Sequence, residues 1–185
     1  GSLLVVAQGE FESSNRFATP YQATAPAALA VGSAYTDGDI IKVDANSPHG
    51  PVRGELELLK PDVIAQAKDI TAAAVGSGEA TATAQGSIYA AAHAAATAAV
   101  LKAQHPKLTG VELKALINTT ANAEVMTPDG GAQAEVSWIG HGAVDASSAQ
   151  KSVLLVWDAD TNQTGINFGL QEVCLLYTSP SPRDK

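Results

Sequence analysis

Gln85–Pro106 reads QGSIYAAAHAAATAAVLKAQHP: a glycine turn, a long run of small residues, and a proline stop. The run predicts a helix from about Ile88 to Gln104. It ends before Pro106 because the residue ahead of a proline is pushed out of α space. Its side chains are small on almost every side, so the expected helix is enclosed by protein rather than amphipathic. His93, Thr97 and Lys102 interrupt the apolar run, so it does not read as a membrane span.

On the N-terminal side, Ser2–Ala7 (SLLVVA) is a short continuous apolar run ending near Gly9, the pattern of a strand buried on both faces of a parallel sheet. Residues 10–27 read as loop. Leu29–Tyr35 reads as a strand closed by the turn residues Asp37 and Gly38, Ile40–Val43 as a third strand and Asp62–Ala65 as a fourth. On the C-terminal side, Thr109-Gly110-Val111-Glu112 is a capping box opening a second helix. Leu113, Leu116 and Ile117 give that helix an apolar stripe. A short helix is expected at Val144–Gln150, and strands at Val153–Trp157 and Ile166–Phe168 around an Asp/Asn/Gly loop. Strands alternating with helices imply α/β layering.

The chain has 185 residues, enough for one domain with a buried core. Aromatics make up only 5%, so that core is expected to use small, closely packed side chains. A net charge of −8 argues against a nucleic-acid partner, which needs a Lys/Arg surface to displace counterions. The single cysteine, Cys174, lies in a tail, CLLYTSPSPRD (174–184), that resembles a translated transposon-based sequencing adapter. On that reading 174–185 is non-native, the natural chain continues past Val173, and the cysteine carries no information on redox compartment.

Five segments in order carry a resemblance to the subtilisin-like serine peptidases. Gly86–His93 is similar to the family's G-T-S-M-A-x-P-H around the nucleophile, and the match extends through Asn118. Leu4–Glu10 (LVVAQGE) resembles a strand and turn ending A-A-G-N, and Ala23–Gly32 the approach to the next strand. Leu59–Ala65 (LKPDVIA) resembles L-K-P-D-V-x-A-P-G, and Gly140–Ala146 (GHGAVDA) resembles G-x-G-x-V-D-A. The resemblance implies a partial subtilisin-like three-layer α/β sandwich, a parallel sheet with flanking helices, truncated at the N-terminus. Residues 1–151 would be the C-terminal half of the peptidase domain, and 152–173 the start of an appended β-rich domain. The family's triad order, Asp then His then Ser, puts the acid and base before Gly1. The missing N-terminal half of the same domain is therefore an implied partner. A chain that starts at a central strand exposes an apolar sheet edge, an aggregation hazard.

The family's chemistry needs a hydroxyl nucleophile, a histidine base and donors for the oxyanion. The resemblance places the nucleophile at Ile88, which has no hydroxyl, and the oxyanion Asn at Glu10, an ionised acceptor that cannot donate. On subtilisin itself, loss of the nucleophile costs about 10⁶ in kcat and loss of the Asn donor roughly 10²–10³. Ile88 and Glu10 thus imply a catalytically incompetent homologue that retains, at most, a peptide or protein substrate cleft beside Gly9. The alternatives are an active endopeptidase in the full-length parent, using Ser87 or a correctly read serine, and a non-catalytic structural or binding module of a secreted protein. Ser87 also reads as a turn or cap residue, and His93 as a packing histidine. No cofactor and no metal are expected: Asp158-Ala-Asp160-Thr-Asn162 opens like a calcium loop, but Gln163 stands where its glycine belongs. Asn118 and Asn162 begin glycosylation sequons, a frequent chance match. The family's habit implies secretion or the cell surface.

Overall fold

The computed structural model describes residues 2–10, 19–52 and 58–165. Its sheet is built on β2 (Leu29–Asp37), which pairs in parallel with β1 (Val5–Ala7) on one side and β4 (Val63–Gln66) on the other. β3 (Ile40–Val43) folds back antiparallel onto the distal half of β2, after a turn at Gly38, where φ is +62°. The sheet is therefore mixed, parallel at its centre. β4 has a further neighbour: the stretch from His141 to Val144 runs along it, with the His141 N–H donating to the Asp62 carbonyl, Ile64 N–H to Gly142, and Val144 N–H to Ile64. Met126 joins the sheet beside Lys42.

Side-chain alternation along the strands makes two cores. Leu29 and Val31 of β2, with Val63 and Ala65 of β4, face α1 (Ser87–Gln104), α2 (Gly110–Thr119) and α4 (Ala146–Lys151). Ala34 and Ile64 point the other way, into a second cluster with Val43, Val125, Ala134, Ile139 and Ala143, beneath the short helix α3 (Val136–Ile139). The capping box at α2 forms as the sequence indicates: the Thr109 hydroxyl accepts from the Glu112 N–H, and the Glu112 carboxylate accepts from the Thr109 N–H. That backbone bond holds the Glu112 carboxyl below its usual range. α4 starts on a comparable Asp145–Ser148 cap.

Four expectations change. α1 is not enclosed: Ala90, Ala94, Ala98 and Leu101 form one buried stripe, whereas Ala92, His93, Ala95, Ala96, Ala99 and Val100 face solvent. Small residues on all sides let the sheet approach closely without specifying which faces are covered. Val153–Trp157 joins no sheet, and Val153 is fully exposed, because no strand lies beside it among the described residues. A hairpin of β5 (Ile70–Ala73) and β6 (Thr81–Ala84) stands between β4 and α1. Its Ala/Thr pattern has no apolar face to betray it. A short 3-10 helix, Tyr21–Thr24, lies in the expected loop. The expected strand at Ile166–Phe168 and the tail at 174–185 lie outside the described residues.

At the N-terminal ends of β2 and β4 a buried ion cluster ties the sheet to α2. Asp62 Oδ2 accepts from Lys60 Nζ and from the Ala30 N–H, each at 2.7 Å, and Oδ1 lies 3.0 Å from Lys114 Nζ. The lysines also donate to the Ala28 carbonyl, and Lys114 to that of Pro26. All three residues are at most 6% exposed. Two cations share one anion, so burial outweighs the Asp62 attraction for Lys114 and lowers its pKa from 10.5 to about 8. The unfolded chain keeps that proton up to 10.5, so between the two values unfolding takes up a proton and stability rises with pH. The contribution is complete above the unfolded value and lost as pH falls through about 8. It is expected to amount to about 3 kcal/mol. Chemical denaturation from pH 7 to 11 should show the rise in the wild type and a flatter profile in Lys114→Met; parallel profiles would refute the assignment.

Candidate active site

In parallel sheets, ligands bind beyond the C-terminal ends of the strands, and the described residues put their candidate site there. β1 runs on into Gln8, which is fully buried, donates its N–H to the Val31 carbonyl at 2.8 Å and its side-chain amide to Thr19. Gly9 then turns the chain with φ +84°, and a Cβ there would sit 3.0 Å from Pro20. The turn delivers Glu10. From β4, Ala67 offers its carbonyl to the Gly86 N–H at 2.8 Å, fixing the start of α1.

The two approaches converge. The Glu10 carboxylate accepts from the Ser87 N–H at 2.8 Å, across 77 positions of sequence. Gly86, the residue that caps α1, has no side chain to satisfy the helix's free N–H groups, and Glu10 satisfies one of them, that of Ser87. The position requires glycine for its φ of +137°, where L side chains are strained; an added Cβ would meet only the end of the flexible Glu10 side chain, 2.7 Å from Oε1. A carboxylate at a helix N-terminus is stabilised by the aligned peptide dipoles, by roughly 0.3–1 kcal/mol at an exposed position.

Ile88 and Ser87, adjacent in sequence, have opposite surroundings. Ile88 is 65% exposed, while Ser87 is 3% exposed. The first turn of α1 therefore presents Ile88 outward and holds Ser87 inward. His93, one and a half turns further on, pairs through Nδ1 with the Gln66 carbonyl of β4 at 2.8 Å and so ties helix to sheet. Glu10, Ser87 and Ile88 are brought together with Gly9 on one side. The sequence indicates their proximity through the resemblance alone, and it does not indicate that Glu10 binds the helix. The available signal is a capping glycine with no cap of its own.

The remaining candidates have structural surroundings. Asp158 accepts from the N–H groups of Asp160 and Thr161 and from the Thr161 hydroxyl, a closed turn. Asn118 is 3% exposed and donates its amide to Thr164, which removes it from glycosylation chemistry. His141 pairs through Nδ1 with the Asp62 carbonyl, and His49 stacks on Trp138 at 3.9 Å. A cavity of about 170 Å³ lies beside Lys60, Asp62, Lys114 and His141, at the opposite strand ends from Glu10. Among the described residues no cluster of three His, Cys, Asp or Glu could hold a metal ion, and no helix is long and apolar enough to cross a membrane.

The family model described as the Subtilase family matches residues 1–164. Solved structures share the fold. The prenylagaramide maturation protease PagA is 21% identical with a TM-score of 0.59, over 80% of this chain and 49% of that one. MycP1 with its N-terminal propeptide removed is 21% identical with a TM-score of 0.60, over 83% and 52%. Fervidolysin from Fervidobacterium pennivorans, a keratinolytic enzyme related to subtilisin, is 19% identical with a TM-score of 0.54, over 71% and 20%. The chain thus spans about half the length of the first two structures. No curated protein sequence matches it.

Proposed function

The chain belongs to the subtilase family of serine peptidases, and from that premise we propose that it is a non-catalytic member of the family, retaining one wall of a peptide cleft without the chemistry of hydrolysis. The carrying observation is the start of α1. The exposed residue on the first turn, where the family keeps its nucleophile, is Ile88. A hydrocarbon side chain can neither attack a carbonyl nor pass a proton to a base. The neighbouring hydroxyl, Ser87, is buried, and its N–H already serves Glu10. To act as nucleophile it would have to rotate α1 by about 100° per residue of register. That rotation would swing Ala90, Ala94, Ala98 and Leu101 out of the core and break the His93–Gln66 contact.

Glu10 supports the same reading. It stands at the position aligned with the family's oxyanion donor and supplies an acceptor and a negative charge. The structural or binding role would be exercised outside the cell or at its surface, in keeping with the family's habit. Residues 152–173 would be the start of an appended β-rich domain.

The test is active-site labelling of the full-length protein with a fluorophosphonate. No labelling is expected, and none should appear after replacing Ser87 by alanine either. Stoichiometric labelling lost in Ser87→Ala would instead establish an active enzyme with a shifted nucleophile.

A further inference from the structure

At the strand ends opposite Glu10, the cluster of Lys60, Asp62 and Lys114 forms part of the wall of the 170 Å³ cavity. Its charges do not cancel. Two ammonium groups meet one carboxylate, and no other acid among the described residues pairs with either lysine. His141, also on the wall, adds no negative charge, and its Nδ1 is taken by the Asp62 carbonyl. A net positive charge held out of water is costly, and the same low dielectric strengthens its attraction for an anion.

The wall also has more donors than acceptors. An ammonium carries three N–H groups. Those of Lys114 meet the Pro26 carbonyl, the Ala28 carbonyl and Asp62 Oδ1. Lys60 meets only the Ala28 carbonyl and Asp62 Oδ2, so its third N–H has no acceptor among the described residues. Thr164, buried on the same wall, accepts from the Asn118 amide, and its own hydroxyl proton has no acceptor among the described residues either. Pro26, Leu59, Pro61 and Val136 make the remainder largely apolar.

We propose that this cavity binds a small aliphatic monocarboxylate, with its carboxylate at Lys60 and Thr164 and its hydrocarbon end against the prolines, Leu59 and Val136. One negative charge neutralises the cluster, whereas a dianion would overshoot. The volume excludes drug-sized molecules, whose sites measure about 300–1,000 Å³. The site shares no residue with Glu10, Ser87 or Ile88, so it stands whether or not those residues hydrolyse peptides.

The probe is butyrate, titrated at pH 7 and constant ionic strength into the isotope-labelled chain while the backbone amides of Lys60, His141 and Thr164 are followed. A saturable shift at these amides is expected. Butylammonium, with the same hydrocarbon and the opposite charge, should give none, and chloride should bind more weakly than butyrate. Lys114→Met leaves Lys60 and Asp62 as a neutral pair and should weaken butyrate by about tenfold or more. Val136→Glu adds a negative charge from an exposed position on the wall, outside the buried cluster, and should weaken it too; it serves as the test if Lys114→Met does not give a cooperative melt. The proposal is overturned by a wild type without a saturable shift, by chloride or butylammonium binding as well as butyrate, or by unchanged affinity in either folded variant.

Discussion

Replacing Asp62 by alanine is expected to cost about 3–5 kcal/mol of stability, because it leaves two buried cations without their anion. Asp62 receives Lys60 at 2.7 Å, Lys114 at 3.0 Å and the Ala30 N–H at 2.7 Å. Two carbonyls, those of Pro26 and Ala28, would remain to face both ammonium groups. The expected loss is a large share of the roughly 5–15 kcal/mol that holds a domain folded. Asp62→Asn should lose less, since the amide oxygen can still accept from one donor. Converting the cluster to apolar residues together (Lys60→Met, Asp62→Leu, Lys114→Met) should recover most of the loss, since removing all the charges removes the desolvation cost with them. Urea denaturation of the three variants measures this. A loss for Asp62→Ala below about 1 kcal/mol, the range of exposed pairs, would show that the cluster is solvated.

Gly142→Ala is the second large effect. The glycine has φ +121°, and a Cβ there would lie 2.2 Å from the Asn122 carbonyl oxygen and 2.6 Å from its carbon. Both neighbours are backbone, so no rotamer change relieves the clash. The Gly142 carbonyl also accepts from the Ile64 N–H, and the same stretch continues the sheet beyond β4. Moving it breaks that pairing. At least about 3 kcal/mol should be lost, beyond the ordinary range of single substitutions. Gly38→Ala is the control. Its φ is +62° with nothing within 4 Å of the added carbon, so only the left-handed backbone penalty of about 1–2 kcal/mol applies. Equal losses in the two variants would show that conformation alone, and not contact, sets the cost at Gly142.

Much of the fold is legible in local pattern. The capping box at Thr109 and Glu112 forms as written, because both partners lie within one turn. The apolar runs around Val31 and Val63 become the parallel centre of the sheet, because strands buried on both faces lack polar alternation. Where pattern failed, the determining contact was remote or the residues were uninformative. Alanines on every side of α1 cannot say which side stays open. The apolar run Val153–Trp157 has strand composition, but strand formation requires a neighbour to receive its hydrogen bonds. The β5–β6 hairpin is built from exposed Thr and Ala, so no hydrophobic period marks it.

The site divides along the same line. Ile88 without a hydroxyl and Glu10 without a donor are facts of residue chemistry, and the sequence by itself determines them. It also determines the family, through motifs kept in order along the chain. Only the tertiary structure decides that Ser87 turns inward while Ile88 turns out, that Asp62 is shared by two lysines, and that Glu10 crosses 77 positions to cap α1. Each of these rests on groups brought together by the sheet, and their energies depend on burial and distance, which no single segment contains.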